Sequence, residues 1–215
     1  MIVVEPITLN IVSHNLSSTD NLTDDKINTQ VERAESLTVR IDADLCDTIA
    51  LFGMEGMEVV ITQYDSAGSV VQTITKSLMY ETYSDIWGYW YDPLIQRPDL
   101  MIKTLSVLSG DYGITINNPG NTAKLGLIAA GRAREIGRTQ AEFRAGISDY
   151  STKERDEFGN YYLLQRGFSK RWDGTLYLPR AQFDSIYSTL ADIRSKACLW
   201  IASTRDASVV YGPYR

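Results

Sequence analysis

Apolar and polar residues alternate along several short segments of the chain, and this period of two is typical of half-buried β-strands. In the segment AESLTVRID, Leu37, Val39 and Ile41 fall on one side. The segments MEVVITQY and SVVQTITK alternate in the same way and are separated by the turn sequence DSAG at residues 65–68. The pattern therefore predicts a β-hairpin there.

The second half of the chain alternates more regularly. KLGLIAAGRAREIG predicts one strand, and the segment 141–179 predicts a long antiparallel hairpin whose connection, DEFGN, supplies Gly and Asn for positive φ. One face of its first arm holds Ala141, Phe143, Ala145 and Ile147, and even positions of its second arm hold Tyr162, Leu164, Phe168, Trp172, Leu176 and Leu178.

The helical period occurs convincingly once. Within residues 180–196, the apolar positions Phe183, Ile186, Tyr187, Leu190 and Ile193 recur at steps of three and four, which predicts an amphipathic helix. Further strands are predicted at LMIKTLSVL, YGITIN, CLWIAS and SVVYGPY, with a turn at NNPGN (117–121). We therefore predict a mainly β protein, a β-sandwich with one packed helix near the C-terminus.

The net charge of −6 is unevenly distributed. Residues 1–108 carry −10, begin with a short apolar segment and continue into a polar segment that predicts a long loop or arm; residues 109–215 carry +4. We predict a boundary at 108/109, between an N-terminal acidic β region and a C-terminal β-sandwich. The asymmetry is typical either of a solvated surface or of copies that meet head to tail.

Aromatic residues are concentrated between Leu78 and Pro98, a segment with four tyrosines and two tryptophans. Because each such ring buries about 150–250 Å² when covered, this density predicts a core, a protein interface or a platform on which sugars stack. The residues concerned are Trp87, Trp90 and Tyr91; Trp172 is a further core or interface candidate.

Catalytic and metal chemistry finds little support in the sequence. The single histidine, His14, has no recognisable nucleophile to activate, and Cys46 and Cys198 lack metal-ligand spacing and predict buried thiols. Carboxylates at 24–26, 42–44 and 154–157 are typical of solvated turns. We expect no enzyme activity, no metal and no cofactor, and no apolar run is long enough to span a membrane.

Four arginines lie within thirteen residues: Arg132, Arg134, Arg138 and Arg144. Arg132 and Arg134 are two apart on a predicted strand and share a face. Neighbouring glutamates and the acidic total charge argue against nucleic-acid binding. We predict that these arginines contact carboxylates of a neighbouring subunit in a homo-oligomer.

The C-terminal block resembles a family of tailed-bacteriophage structural proteins. The residues that carry the resemblance are 125–203, including Gly-Arg-Ala-Arg (131–134) and DYSTKERDEFGN (149–160), with VVYGPYR at the end and SDIWGYWYDPL (84–94) upstream. The resemblance implies a distal-tail-like protein of the virion, made in the host cytoplasm. It implies a ring around the DNA exit channel, beside other tail and baseplate proteins, with DNA passing through the lumen without specific binding and no membrane contact. The alternatives are a carbohydrate-binding module on the virion surface, a head–tail connector ring and a tail-associated enzyme.

Overall fold

A computed structural model describes residues 1–24, 26, 29–80, 86–91, 95–103, 110–140, 144–155, 157–194, 196–202 and 209–213. The predicted Ala141 and Phe143 of the long hairpin lie outside the described residues.

The described chain is mostly β-strand, with two α-helices and two single turns of 3₁₀-helix at Asp20–Leu22 and Arg180–Gln182. The helices are α1 (Ile86–Tyr91) and α2 (Phe183–Asp192). The strands are β1 (Ile2–Pro6), β2 (Asn10–His14), β3 (Val31–Asp42), β4 (Thr48–Phe52), β5 (Glu58–Tyr64), β6 (Val70–Ser77), β7 (Leu100–Lys103), β8 (Asp111–Leu125), β9 (Leu127–Glu135), β10 (Arg138–Thr139), β11 (Arg144–Asp149), β12 (Thr152–Arg155), β13 (Tyr161–Leu164), β14 (Phe168–Asp173), β15 (Leu176–Tyr177), β16 (Ala197–Ile201) and β17 (Val209–Pro213).

Two antiparallel sheets form a sandwich-like body. One has six strands in the order β17-β16-β1-β9-β4-β7, and the other has five in the order β2-β3-β8-β5-β6. The prediction of a mainly β sandwich with one packed helix near the C-terminus is confirmed. Both sheets take strands from either side of residue 108, so the boundary predicted from charge does not coincide with a boundary between sheets.

The core between the sheets comes from the strand alternation that the sequence shows. From Leu37 onwards every second residue of β3 is buried, and β5 and the first half of β8 repeat this pattern beside it. These side chains pack in one cluster with residues of β4, β7 and β9 from the other sheet. The cluster includes Leu37, Val39, Ile41, Ile61, Ile114 and Ile116 from the first sheet and Ile49, Leu51, Ile102 and Ile128 from the second.

Helix α2 is shorter than predicted, and only part of its apolar stripe is buried. Ile186 and Ile193 are buried in a cluster with Val3 and Trp200 of the six-stranded sheet, and Leu190 packs against that cluster. Phe183 and Tyr187 are exposed instead, with their rings 6.2 Å apart at an interplanar angle of 20°. The helix therefore contacts the sheet through the row of Ile186, Leu190 and Ile193, which is narrower than the five-residue stripe that the sequence predicts.

The turn predicted at 117–121 is instead a bulge inside β8. Ala34 of β3 pairs with Thr122 and the next residue, Glu35, pairs with Asn118, so three residues of β8 have no opposite residue. Gly120 adopts φ 76°, and the Asn118 side-chain amide donates to the Thr122 carbonyl at 2.8 Å, which closes the bulge. The turn residues thus interrupt the ladder without ending the strand.

The polar N-terminal segment is partly anchored to the body. Its 3₁₀ turn buries Leu22 completely, and Leu16 also belongs to the main core. The segment predicted as a loop or arm is therefore a loop with two apolar attachment points.

The chain from β10 to β15 forms an antiparallel hairpin, which we call the ribbon. In chain order its pairs are β10 with β15, β11 with β14 and β12 with β13. Ala145 lies opposite Trp172 and Ile147 opposite Lys170, so these positions of β11 and β14 share a face as the spacing predicts. Tyr162 and Leu164 of β13 lie opposite Glu154 and Thr152 instead. The Lys170 ammonium pairs with the Asp99 carboxylate, which joins the ribbon to the start of β7.

Replacing Gly131 with Ala tests the tight approach of β1 and β9. A Cβ at Gly131 would overlap the Glu5 carbonyl oxygen and lie 2.9 Å from Val4 Cγ1. We expect Gly131→Ala to lower the free energy of unfolding by about 1–3 kcal/mol, measured by urea denaturation. Gly146→Ala in β11 is the matched control, because a Cβ there meets nothing within 4 Å. Equal midpoints for the two variants would contradict this packing.

A buried hydroxyl and a buried thiol make the fold sensitive to alkaline pH. The fully buried Tyr112 hydroxyl donates to the Cys46 carbonyl at 3.1 Å and accepts from the Gln63 amide at 3.2 Å. Burial raises the pKa of Tyr112 to about 12 and that of Cys46 to about 11. Both groups are held neutral in the folded state, so the stability that they confer is complete below their unfolded pKa values and is lost as pH rises through the folded ones.

For Tyr112, we expect the free energy of unfolding to fall by about 2 kcal/mol between about pH 10 and pH 12. Urea denaturation at a series of pH values measures this. Tyr112→Phe keeps the ring and removes the ionisable group, so its stability should fall less steeply over the same range. Parallel pH profiles for the two proteins would contradict the assignment.

Candidate functional site

The aromatic segment forms a loop between β6 and β7, and backbone hydrogen bonds close the loop at its neck. The Arg97 N–H donates to the Leu78 carbonyl at 2.7 Å, and the Tyr80 N–H donates to the Ile95 carbonyl at 2.9 Å. The Arg97 guanidinium lies 4.6 Å from the centroid of the Tyr80 ring, which adds a cation–π contact at the same place. The loop therefore leaves the body through a narrow and well-bonded base.

Both sides of the neck are also bonded to the segment that connects β4 and β5. The Leu78 N–H donates to the Met57 carbonyl at 2.8 Å, and the Met54 N–H donates to the Pro98 carbonyl at 2.8 Å. Compact loops held by a rigid scaffold are frequent locations of binding sites. Helix α1 lies between the two sides of the neck in the sequence.

Helix α1 presents four large side chains to solvent, and we call Ile86, Trp87, Trp90 and Tyr91 the aromatic platform. The exposed fractions are 67% for Trp87, 69% for Trp90 and 76% for Tyr91. Trp87 and Tyr91 are one turn apart, with ring centroids separated by 5.8 Å and ring planes 20° apart. The four side chains line an open depression of about 360 Å³. These aromatics are therefore outside the core, which leaves the interface and sugar-stacking alternatives.

A tyrosine elsewhere on the body is already covered by an arginine. The Arg40 guanidinium lies 4.2 Å from the centroid of the Tyr64 ring and donates to the Asp111 carboxylate at 2.8 Å. One face of the Tyr64 ring is thus occupied from within the chain. The platform rings of α1 are a better candidate for an external ligand.

Polar groups adjoin the neck of the loop. Ser77, the last residue of β6, lies opposite Glu58, and Glu58 lies opposite Asn117 on β8. The Asn117 amide donates to Glu58 Oε1 at 2.8 Å, and the Ser36 hydroxyl donates to Asn117 Oδ1 at 3.1 Å. A second open depression, of about 420 Å³, is lined by Met57, Glu58, Thr75, Ser77, Asn117 and Pro119.

The hydrogen-bonded polar row of Ser36, Asn117 and Glu58 was not identified from the sequence. Its members come from β3, β5 and β8 and meet only because the strand register brings them side by side. The only sequence signal is that each lies at a polar position of an alternating strand, and most such positions are simply solvated. The sandwich end that carries the loop therefore offers hydrogen-bonding groups as well as aromatic rings.

The four arginines predicted at a subunit interface, Arg132, Arg134, Arg138 and Arg144, are all exposed. Arg132 and Arg134 lie on β9 opposite Glu5 and Val3 of β1, and Arg144 lies opposite Asp173 in the ribbon. Their role at an interface stays a prediction. Trp172 is partly buried in the ribbon, where it lies opposite Ala145.

The residues considered for catalysis or metal binding do not converge among the described residues. His14 accepts a hydrogen bond from the Leu16 N–H at 3.2 Å, so its ring is bonded within a local turn of the chain. Within the described ranges, no group of three His, Cys, Asp or Glu side chains could hold a metal ion, and no helix is long and apolar enough to cross a membrane. Both cysteines are buried thiols.

No family model and no curated protein matches the chain. Solved structures do match it, and three of them are named here. A pectin binding carbohydrate binding module has a TM-score of 0.37 at 10% identity, over 60% of this chain and 92% of that one. CBM32-1 from a family 31 glycoside hydrolase from Clostridium perfringens has a TM-score of 0.40 at 12% identity, over 59% of this chain and 96% of that one. Truncated AlyQ with CBM32 and alginate lyase domains has a TM-score of 0.38 at 11% identity, over 69% of this chain and 40% of that one.

These comparisons correct the resemblance drawn from the C-terminal block. The three structures named are or contain carbohydrate-binding modules, and they are not phage tail or baseplate proteins. The prediction of a distal-tail-like virion protein that forms a ring around a DNA channel is therefore wrong. The quoted motifs lie largely in the ribbon, whose alternating polar and apolar residues are a general property of exposed hairpins rather than of one family.

Proposed function

We propose that this chain is a carbohydrate-binding module and that its ligand lies on the aromatic platform of α1. The observation that carries the proposal is that two tryptophans and a tyrosine on one short helix are about two-thirds exposed or more. Aromatic side chains with this exposure are costly to leave in water and mark an interaction site when they cluster. The platform lies on a loop whose neck is fixed to the body.

The dimensions of the platform favour a small repeating ligand over a protein surface. A helix of six residues is about 9 Å long, whereas a standard protein interface engages about 20–30 residues on each side. A sugar ring has an apolar face of C–H groups and a polar rim of hydroxyls. The platform can cover that face, and a few polar groups nearby can then fix the orientation of the ligand.

The polar row at the neck supplies such groups. Glu58 and Asn117 of this row, with Thr75 and Ser77 of β6 beside them, offer carboxylate, amide and hydroxyl groups at the sandwich end that carries the loop. Carboxylate and amide groups bind vicinal hydroxyls well because they accept or donate two hydrogen bonds in one plane. The proposed role is binding and includes no chemical step.

The test is binding to a panel of polysaccharides that includes pectin, alginate, cellulose and chitin. Affinity electrophoresis finds the ligand, and isothermal titration with its oligosaccharides gives Kd. We expect Trp87→Ala and Trp90→Ala each to raise Kd at least about tenfold, because truncating a central aromatic anchor typically costs about 2 kcal/mol.

The chain provides a matched control for these variants. Phe183 and Tyr187 on α2 form another stacked pair one turn apart, with Tyr187 67% exposed. Tyr187→Ala should leave Kd unchanged. The proposal fails if the wild-type protein binds none of the polysaccharides, or if Tyr187→Ala weakens binding while the Trp87 and Trp90 variants do not.

A further inference from the structure

The outer edge of β13 is apolar and open. Among the described residues, β13 pairs only with β12, so its other edge has no strand beside it. Its sequence is Tyr161, Tyr162, Leu163 and Leu164, and the exposed fractions of these side chains lie between 51% and 75%. Natural proteins usually protect such an edge with a charge, a proline or a bulge, because an open apolar edge pairs with other strands. The four residues of β13 include no charge and no proline.

The opposite edge of the same ribbon is protected. Strand β12 is Thr152, Lys153, Glu154 and Arg155, so three of its four residues are charged. The ribbon therefore has one edge that accepts a further strand and one edge that discourages it. A ribbon of two strands is also only marginally stable alone, and three or more strands are needed for independent stability.

Symmetry limits how either edge can pair with a second copy of this chain. Opposite residues in an antiparallel pair lie on the same face of the sheet. A two-fold axis between two identical strands is perpendicular to the sheet and keeps each residue on its own face. Residues opposite each other across the axis must therefore be an even number of positions apart in the sequence.

This rule separates the two edges. If the two-fold axis passes through Lys153 of β12, Lys153 lies opposite Lys153 of the second copy. If it passes through Glu154, Glu154 lies opposite its own copy and Lys153 lies opposite Arg155. Both registers place like charges opposite each other, which is unfavourable. If the axis passes through Leu163 of β13, Leu163 lies opposite Leu163 of the second copy and Tyr162 lies opposite Leu164 of that copy. All of these pairs are aromatic or aliphatic, and such pairs stabilise a sheet.

We propose that the chain forms a two-fold symmetric dimer through the edge of β13, in which two ribbons become one four-stranded sheet. The outer edges of that sheet are then the two β12 strands, whose charges oppose further addition. The same pattern that favours the first pairing thus stops assembly at two copies. The partner is a second copy of this chain because β13 complements itself and the symmetry of the pair closes.

Sedimentation equilibrium on the full chain tests the proposal, with Leu163→Lys as the main variant. A lysine at the centre of the interface lies opposite its own copy, so we expect the dimer Kd to rise at least about tenfold. Glu154→Lys, on the protected edge, is the matched control and should leave the dimer Kd unchanged. Far-ultraviolet circular dichroism checks that both variants keep the fold.

Cysteine cross-linking gives an independent readout. Leu163→Cys places two thiols opposite each other at the axis, so mild oxidation should produce a disulfide-linked dimer, whereas Glu154→Cys should form no disulfide-linked dimer. The native Cys46 and Cys198 are buried and do not compete.

The proposal is overturned by a wild-type chain that is monomeric at about 100 μM, by a dimer that Leu163→Lys leaves intact, or by cross-linking at position 154 as efficient as at 163. Pairing of β13 with a strand of a different protein, in the absence of self-association, also overturns it. None of these measurements involves the aromatic platform, so they succeed or fail separately from carbohydrate binding.

Discussion

The structure depends on the burial of alternate residues between two sheets. On β5, the second half of β3 and the first half of β8, every second side chain is excluded from water, and the apolar ones pack against β4, β7 and β9. A shift of one residue in any of these strands would turn its apolar side chains to solvent, so the register is strongly fixed. The register in turn decides which residues meet at the sandwich ends. The fixed neck of the loop and the polar row of Ser36, Asn117 and Glu58 both follow from it.

Much of the fold follows from local sequence signals. The hairpin of β5 and β6, the strands β3 and β9, the ribbon and helix α2 all lie where period and turn residues predict them. Strand β4 is different, because its five residues are all buried and show no alternation. The bulge at 119–121 was also missed, since Pro and Gly mark a change of backbone direction without saying whether the strand resumes. Long-range pairing decided both cases.

The site was half predictable. The density of aromatic residues in the sequence identifies Trp87, Trp90 and Tyr91 as important. The same density is compatible with a core, an interface or a ligand platform. What distinguishes these is exposure, and the loop that carries the exposed rings is closed by hydrogen bonds between Leu78 and Arg97 and between Tyr80 and Ile95. Backbone hydrogen bonds of this kind cannot be recognised from the residue types. For the same reason the motif resemblance in the ribbon did not identify the protein class, because exposed hairpins of unrelated proteins share alternation and turn chemistry.

The closed neck separates the loop energetically from the sheets that carry it. Its hydrogen bonds use backbone groups of residues 78–80, 95–98 and 54–57, so they do not depend on the side chains of α1. Loops tolerate changes of sequence and length at modest cost when their ends stay fixed. The segment between the neck residues is therefore exchangeable: variation there can diversify what the protein recognises, in evolution or by grafting in the laboratory, while the hydrophobic core remains untouched.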